Sequence, residues 1–263
     1  MITTLVRQIG ASALYQLQDW GRMGTFLGAA ARGCLARPFR FRELLRQIRL
    51  IGANSLPLIL FIGLFTGMVL GLQGYYTLSR VGSESILGML VALSLIKELG
   101  PVLTALMVTG RAGSAMCAEL GIMRHSEQFD ALECMAIDPF RYLISPKFLA
   151  TLISVPLLTQ IFNVVGIFGG YLSGVILLEV SPGAYMNGII SGVTSEDINL
   201  GVQKSYVFAL LVVWICAGRG YFVHQIKSGG FGAEGVSRVT TQAVVYSSIA
   251  ILLWDYMLTA VLI

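Results

Sequence analysis

Charge is what this chain has least of. Asp, Glu, Lys and Arg make up 12% of its 263 residues, about half the share in an ordinary soluble domain. Cysteine is also sparse. The four present (Cys34, Cys117, Cys134 and Cys216) show no paired spacing, which excludes a disulfide framework and gives no metal-ligand pattern. Only two histidines occur, His125 and His224, and they stand apart from each other in polar segments. No P-loop, nucleophile elbow or ligand cluster is present. The chain therefore reads as no enzyme, with no cofactor of its own. Any energy for work has to come from a partner.

What is abundant is apolar surface, at 56% of residues. A helix needs about 20 apolar residues to cross the hydrocarbon core. Five segments reach that length, at roughly 53–78, 86–109, 147–178, 200–222 and 242–262. The third exceeds one crossing, so it should tilt or project beyond the bilayer. The runs are continuous rather than alternating, which excludes a barrel of short strands. The expected fold is an all-α membrane protein: an interfacial segment over 1–50 and a five-span domain over 51–263.

Residues 1–50 do not order themselves as a cleavable signal. They carry Arg7, Arg22, Arg32, Arg37, Arg40, Arg42, Arg46 and Arg49 against Asp19 and Glu43, interleaved with apolar residues. That pattern suits an amphipathic helix lying in an anionic headgroup layer. A nucleic-acid arm would be basic too, but this one is apolar and leads directly into a span, so no nucleic-acid partner is expected. With the N-terminus inside, segments 1–52, 110–146 and 219–241 are cytoplasmic and hold most of the 18 basic residues. That satisfies the positive-inside bias and leaves the C-terminus outside.

Four charges break the apolar runs: Lys97, Glu98, Lys204 and Asp255. A charge at mid-bilayer costs about 2.5–3.5 kcal/mol on insertion scales, so each should face protein or a wet cavity. Neighbouring helical residues diverge by about 100°, so Lys97 and Glu98 should not share a partner. Lys204 and Asp255 lie at compatible depths and could pair, with Asp255–Lys97 as the alternative. Two glycine stripes, Gly63-x3-Gly67-x3-Gly71 and Gly166-x2-Gly169-Gly170-x3-Gly174, permit close backbone approach. They fit packing within the chain or a dimer seam.

The segment after the second span holds a short amphipathic pattern over about 126–137. Ser126 could cap its start, with Glu127 and Asp130 in the first turn and Glu133 one turn on. Phe129, Leu132, Met135 and Ala136 share a face, and Asp138-Pro139 should end the helix. It reads as a docking element or as a helix folded back on the bundle.

Several long motifs then carry a resemblance. They are Gly67-Met-Val-Leu-Gly-Leu-Gln-Gly74, Gly88-Met-Leu-Val-Ala-Leu-Ser-Leu-Ile-Lys97-Glu98-Leu-Gly-Pro101, Gly110-Arg-Ala-Gly-Ser-Ala, Ala118-Glu119-Leu-Gly-Ile-Met, Met135-Ala-Ile-Asp-Pro139 and Ser237-Arg-Val-Thr-Thr-Gln-Ala-Val-Val. Over residues 45–262 the chain resembles the MlaE-type permease family.

That resemblance implies the transmembrane subunit of an ABC-type system moving phospholipids between the inner and outer membranes of a Gram-negative envelope. It implies a homodimer in the bacterial inner membrane, a cytoplasmic ABC ATPase that binds the ATP, a periplasmic ring of MCE-domain proteins and a small STAS-domain protein. It places a coupling helix at 126–137, with Glu127, Phe129, Asp130, Leu132 and Glu133 facing the ATPase, and a short outer helix near Pro182 to Ile190. The lipid cavity would lie between the dimer halves, near Glu98, Lys97, Leu70, Tyr75 and Leu78, with Lys204 and Asp255 as an intramembrane polar pair. A scaffold that anchors the ATPase and the carrier ring without touching lipid is the alternative. A channel or proton-coupled carrier using the buried charges is a third reading.

Overall fold

The computed structural model describes residues 2–35, 40–225 and 232–262. Arg37 and positions 226–231 of the last expected cytoplasmic segment lie outside them. Regular structure among the described residues is entirely helical. In chain order the helices are α1 (Ile2–Leu35), α2 (Phe41–Ile51), α3 (Leu56–Ser79), α4 (Leu87–Ser94), α5 (Gly100–Val108), α6 (Ser114–His125), α7 (Gln128–Cys134), α8 (Ser145–Tyr171), α9 (Pro182–Gly192), α10 (Ser195–Tyr221) and α11 (Ala233–Leu262). Five helical stretches are long and apolar enough to span a membrane: Phe41–Ser79, Glu84–His125, Phe140–Leu177, Ser195–Tyr221 and Ala233–Val261. The chain is an all-α multi-pass membrane protein.

The second stretch explains why span ends were hard to place. It is α4, α5 and α6 joined through π turns at Leu95–Leu99 and Thr109–Gly113. The residues 110–125 expected in a cytoplasmic loop are thus mostly helix. Gly110 and Gly113 do not stop the helix because the wider turn absorbs them. The first π turn has a local cause. Pro101 has no N–H to return to Lys97 one turn back, and the Gly100 N–H bonds instead to the Leu95 carbonyl, five residues back.

Both glycine stripes lie inside the chain, facing each other. α3 and α8 form the most extensive helix pair. A Cβ on Gly67 would fall on the Gly166 carbonyl, and one on Gly169 would fall on the Leu64 carbonyl. A Cβ on Gly71 would strike Ser173 Oγ and come 3.0 Å from the Gly170 oxygen. Apolar side chains give two helices little reason to associate in lipid, so close backbone contact supplies the packing. The opposite face of α3 is left open, with Phe61, Phe65, Val69 and Tyr76 exposed. α11 is likewise open along Ile249, Leu252, Leu253, Tyr256 and Met257.

α9 occupies the place expected for a short helix near 182–190. Tyr185 anchors it, fully buried, with its hydroxyl donating to the Ile167 carbonyl at 3.0 Å. Gly88 on α4 admits this helix, since a Cβ there would strike the Tyr185 carbonyl.

The basic N-terminal segment is less detached than its composition suggested. Met23, Phe26 and Ala30 of α1 are buried against the bundle. Asp19 pairs with Arg219 at 3.0 Å, and the Trp214 indole donates to the Met23 carbonyl at 2.8 Å. The outward side of α1 shows Leu14, Leu17 and Trp20. α2 passes into α3 through a single 3₁₀ turn, Ala53–Ser55.

The pattern at 126–137 also needs correction. Ser126 does not cap the following helix. It ends α6, its hydroxyl donating back to the Ile122 carbonyl at 2.9 Å, and Glu127 turns the chain at φ 55°. α7 is therefore only Gln128–Cys134. Ala136, at φ 58°, closes it, and the Ile137 N–H bonds to the Leu132 carbonyl at 2.9 Å. Asp138-Pro139 opens the next helix instead, with the Phe140 N–H donating to Asp138 Oδ1 at 3.0 Å.

Candidate functional site

Three of the four intramembrane charges meet. The Lys204 ammonium on α10, fully buried, lies 2.6 Å from Glu98 Oε2, 3.0 Å from Asp255 Oδ1 and 2.6 Å from Thr259 Oγ1. An ammonium has three donors, and all three are used. Thr259 was not foreseen from the sequence. It follows Asp255 by one turn of α11, and its hydroxyl is within donating reach of the Asp255 carbonyl (2.8 Å) and Glu98 Oε1 (3.1 Å). The i, i+4 spacing of Asp255 and Thr259 was the available signal.

Lys97 goes elsewhere. Its ammonium pairs with Asp197 Oδ1 at 2.7 Å, so the alternative Asp255–Lys97 pairing is not what forms. Asp197 holds two things at once. Its other oxygen accepts from the Thr194 N–H at 2.9 Å, while the Thr194 hydroxyl accepts from the Asp197 N–H at 3.4 Å. This capping box starts α10. Lys97 and Glu98 thus take different partners, as expected of adjacent side chains, but both partners lie on α10, seven residues apart. The π turn that carries them, Leu95–Leu99, separates successive side chains by a smaller angle than an α-turn does. Such turns recur at functional positions.

The two ion pairs differ in burial, and that sets their weight. Lys97 and Asp197 keep 31% and 13% of their side-chain surface open, so water screens the pair and it contributes about 1 kcal/mol or less. We expect Lys97→Gln to lower the melting temperature in detergent only slightly. Asp197→Ala should cost more than Lys97→Gln, since it removes the helix cap as well as the ion pair. Equal losses for the two would show that the cap contributes nothing.

Leu70, Tyr75 and Leu78, the other cavity candidates, are half-buried and pack partly against the chain's own core. Among the coupling candidates, Phe129 is fully buried, edge-on to the Tyr221 ring at 5.1 Å. Leu132 is half-buried, whereas Glu127, Asp130 and Glu133 are exposed. Asp130 pairs with Arg124 at 3.0 Å, and that guanidinium lies over the Phe129 and Tyr221 rings. Phe26 joins the cluster from α1, its ring 5.6 Å from those of Phe140 and Tyr221. Nearby, Arg124 Nε donates to His224 Nδ1 at 3.4 Å. Burial and the Arg124 charge hold His224 below its usual pKa.

A second buried lysine escaped the sequence reading. Lys147, 2% exposed on α8, pairs with Glu119 of α6 at 2.5 Å and approaches Gln47 of α2 at 3.5 Å. It ties three helices at the opposite end of the bundle from Lys204. Its position at the edge of an expected span hid it, because a lysine there reads as an interfacial anchor.

The arrangement gathers three charged side chains and a hydroxyl within one apolar bundle. It offers no activated nucleophile. Comparison with known proteins gives it a context. Residues 44–261 match the family described as Permease MlaE. The chain is 42% identical to the intermembrane phospholipid transport system permease protein MlaE of Haemophilus influenzae, over 100% of this chain and 98% of that one. It is 38% identical to a probable ABC transporter permease protein of Rickettsia bellii, covering 98% of each. It is also 34% identical to the chloroplast protein TRIGALACTOSYLDIACYLGLYCEROL 1 of Arabidopsis thaliana, over 84% of this chain and 61% of that one. With an apolar five-span bundle, a family match over residues 44–261 and likeness along its full length, the chain belongs to the MlaE permease family.

Proposed function

We propose that this chain is the permease subunit of an ABC-type transporter that moves phospholipid between the inner and outer membranes of a Gram-negative envelope. It works as a homodimer in the inner membrane, N-terminus in the cytoplasm and C-terminus in the periplasm. A separate cytoplasmic ATPase binds and hydrolyses the ATP and engages α7. A periplasmic ring of MCE-domain proteins and a small STAS-domain protein complete the assembly. Lipid enters a cavity between the two copies, beside Glu98 and Lys97 and along Leu70, Tyr75 and Leu78.

The observation that carries this reading is the edge of the charge cluster. Glu98 keeps 36% of its side-chain surface open while its partner Lys204 has none. A carboxylate left half-open in a membrane span is costly unless something polar meets it. Family membership names the kind of ligand to look for, since the Haemophilus relative is a phospholipid transport permease. The scaffold reading draws on a different fact: Leu70, Tyr75 and Leu78 already pack against the chain's own core.

Photocrosslinkers at Leu70, Tyr75, Leu78 and Glu98 in the intact complex separate the two. The permease reading expects phospholipid adducts from several of these positions, and the absence of any adduct sinks it in favour of the scaffold. ATPase engagement is tested on exposed Glu133 rather than on Phe129, because a charge at Phe129 would dislodge α7 from its own bundle. Glu133→Arg should cut ATPase co-purification several-fold with the melting temperature of the permease unchanged. Full co-purification would remove α7 from the interface.

A further inference from the structure

The charges around Lys204 do not cancel. One ammonium faces two carboxylates, Glu98 and Asp255. The nearby cation Lys97 does not make up the difference, because it is already paired with Asp197. The excess is also what the cluster shows outward. Lys204 is fully buried, whereas the Glu98 and Asp255 side chains keep 36% and 21% of their surface open. The whole end of the bundle has the same sign. Arg80, Lys97 and Lys204 are its basic residues, against Glu84, Glu98, Glu179, Glu196, Asp197 and Asp255.

We propose that this edge selects zwitterionic phospholipids whose headgroup carries a primary ammonium over phospholipids with a net negative headgroup. The inference rests on the reading that lipid reaches Glu98. An ammonium brings three N–H donors to carboxylate oxygens that the buried lysine leaves with spare acceptor capacity. In a span, away from bulk water, that match is stronger than on a surface. An anionic headgroup brings its negative charge against two carboxylates with no cation free on the exposed edge. Discrimination then comes as much from the repelled ligand as from the attracted one. Lys204 has a defined part here. It holds the carboxylates together without neutralising them.

Phosphatidylethanolamine and phosphatidylglycerol are the probes. The intact complex is exchanged into a membrane containing both in equal amounts and repurified, and the retained lipid is quantified by mass spectrometry. Wild type should retain phosphatidylethanolamine about fivefold over phosphatidylglycerol, the scale of one half-exposed ion pair. Glu98→Gln and Asp255→Asn should each lower the ratio toward one, and Glu98→Asp, which keeps the charge, should preserve it. Lipid retained by wild type at the ratio of the surrounding membrane overturns the selection and leaves the transport reading standing. No retained lipid, together with no adduct from the crosslinkers, overturns both. A wild-type preference kept unchanged in folded Glu98→Gln and Asp255→Asn overturns its assignment to this edge.

Discussion

Lys204→Met should be the most damaging single charge change in this protein. The substitution keeps much of the side-chain volume and removes the ammonium that three helices share. Glu98 and Asp255 then face each other within a span with no cation between them, and the Thr259 hydroxyl loses its donor. Removing one member of a buried ion pair costs about 3–5 kcal/mol, because the remaining charge stays desolvated and unpaired. Here two are left. The measurement is thermal unfolding in detergent, with the yield of monodisperse protein as a second readout. The neutral triple change Lys204→Met, Glu98→Gln and Asp255→Asn should recover most of the lost stability, since polar or apolar replacements of a whole buried network are often tolerated. Asp255→Asn alone should be milder than Lys204→Met, because Glu98 and Thr259 still hold the lysine. In a double-mutant cycle, Lys204→Gln with Asp255→Asn should be less harmful than the two losses added. Additive losses would show that the pair carries no coupling, and a wild-type melting temperature for Lys204→Met would show that the cluster carries no stability.

The contrast between this cluster and the rest of the chain shows what a sequence makes legible. Five spans could be read because about 20 consecutive apolar residues admit few other structures. Their ends could not. α6 carries the second span on to His125 because no proline intervenes before Pro139 and the glycines at 110 and 113 sit in a wider turn. Ser126 looked like a helix start on composition, yet it closes the helix before it, since a serine hydroxyl serves either end with equal chemistry. The buried charges announced themselves by being out of place, and the Lys204–Asp255 pair was legible from their depths, but the other partners were not. Lys97 is completed by an acid in the first turn of α10, Asp197, whose distance in sequence carries no hint of contact. Lys147 and Glu119 stayed hidden for the opposite reason, since neither stands in an apolar run long enough to make it look wrong.

The glycine stripes were legible as stripes and ambiguous as contacts, and they carry the second large effect. Gly67→Val should separate α3 from α8. A side chain there meets the Gly166 backbone carbonyl, which cannot swing aside as a side-chain tip would. Relief requires the two helices to move apart along the most extensive contact in the bundle. Overpacking a tight core costs about 1–3 kcal/mol, and more where backbone must shift. A loss at the top of that range or beyond is expected, read as a large fall in melting temperature and in folded yield. Gly67→Ala should already be harmful, because the first carbon makes the clash. Gly166→Ala should be milder, since its nearest neighbour is the Leu95 side chain at 2.9 Å, which can rotate. Gly24→Ala is the internal control. Nothing lies within 4 Å of a Cβ there, and alanine in a helix gains about 0.5–1 kcal/mol over glycine. It should therefore hold or raise the melting temperature. If Gly67→Val melts with wild type, the stripe does not set the spacing of these helices.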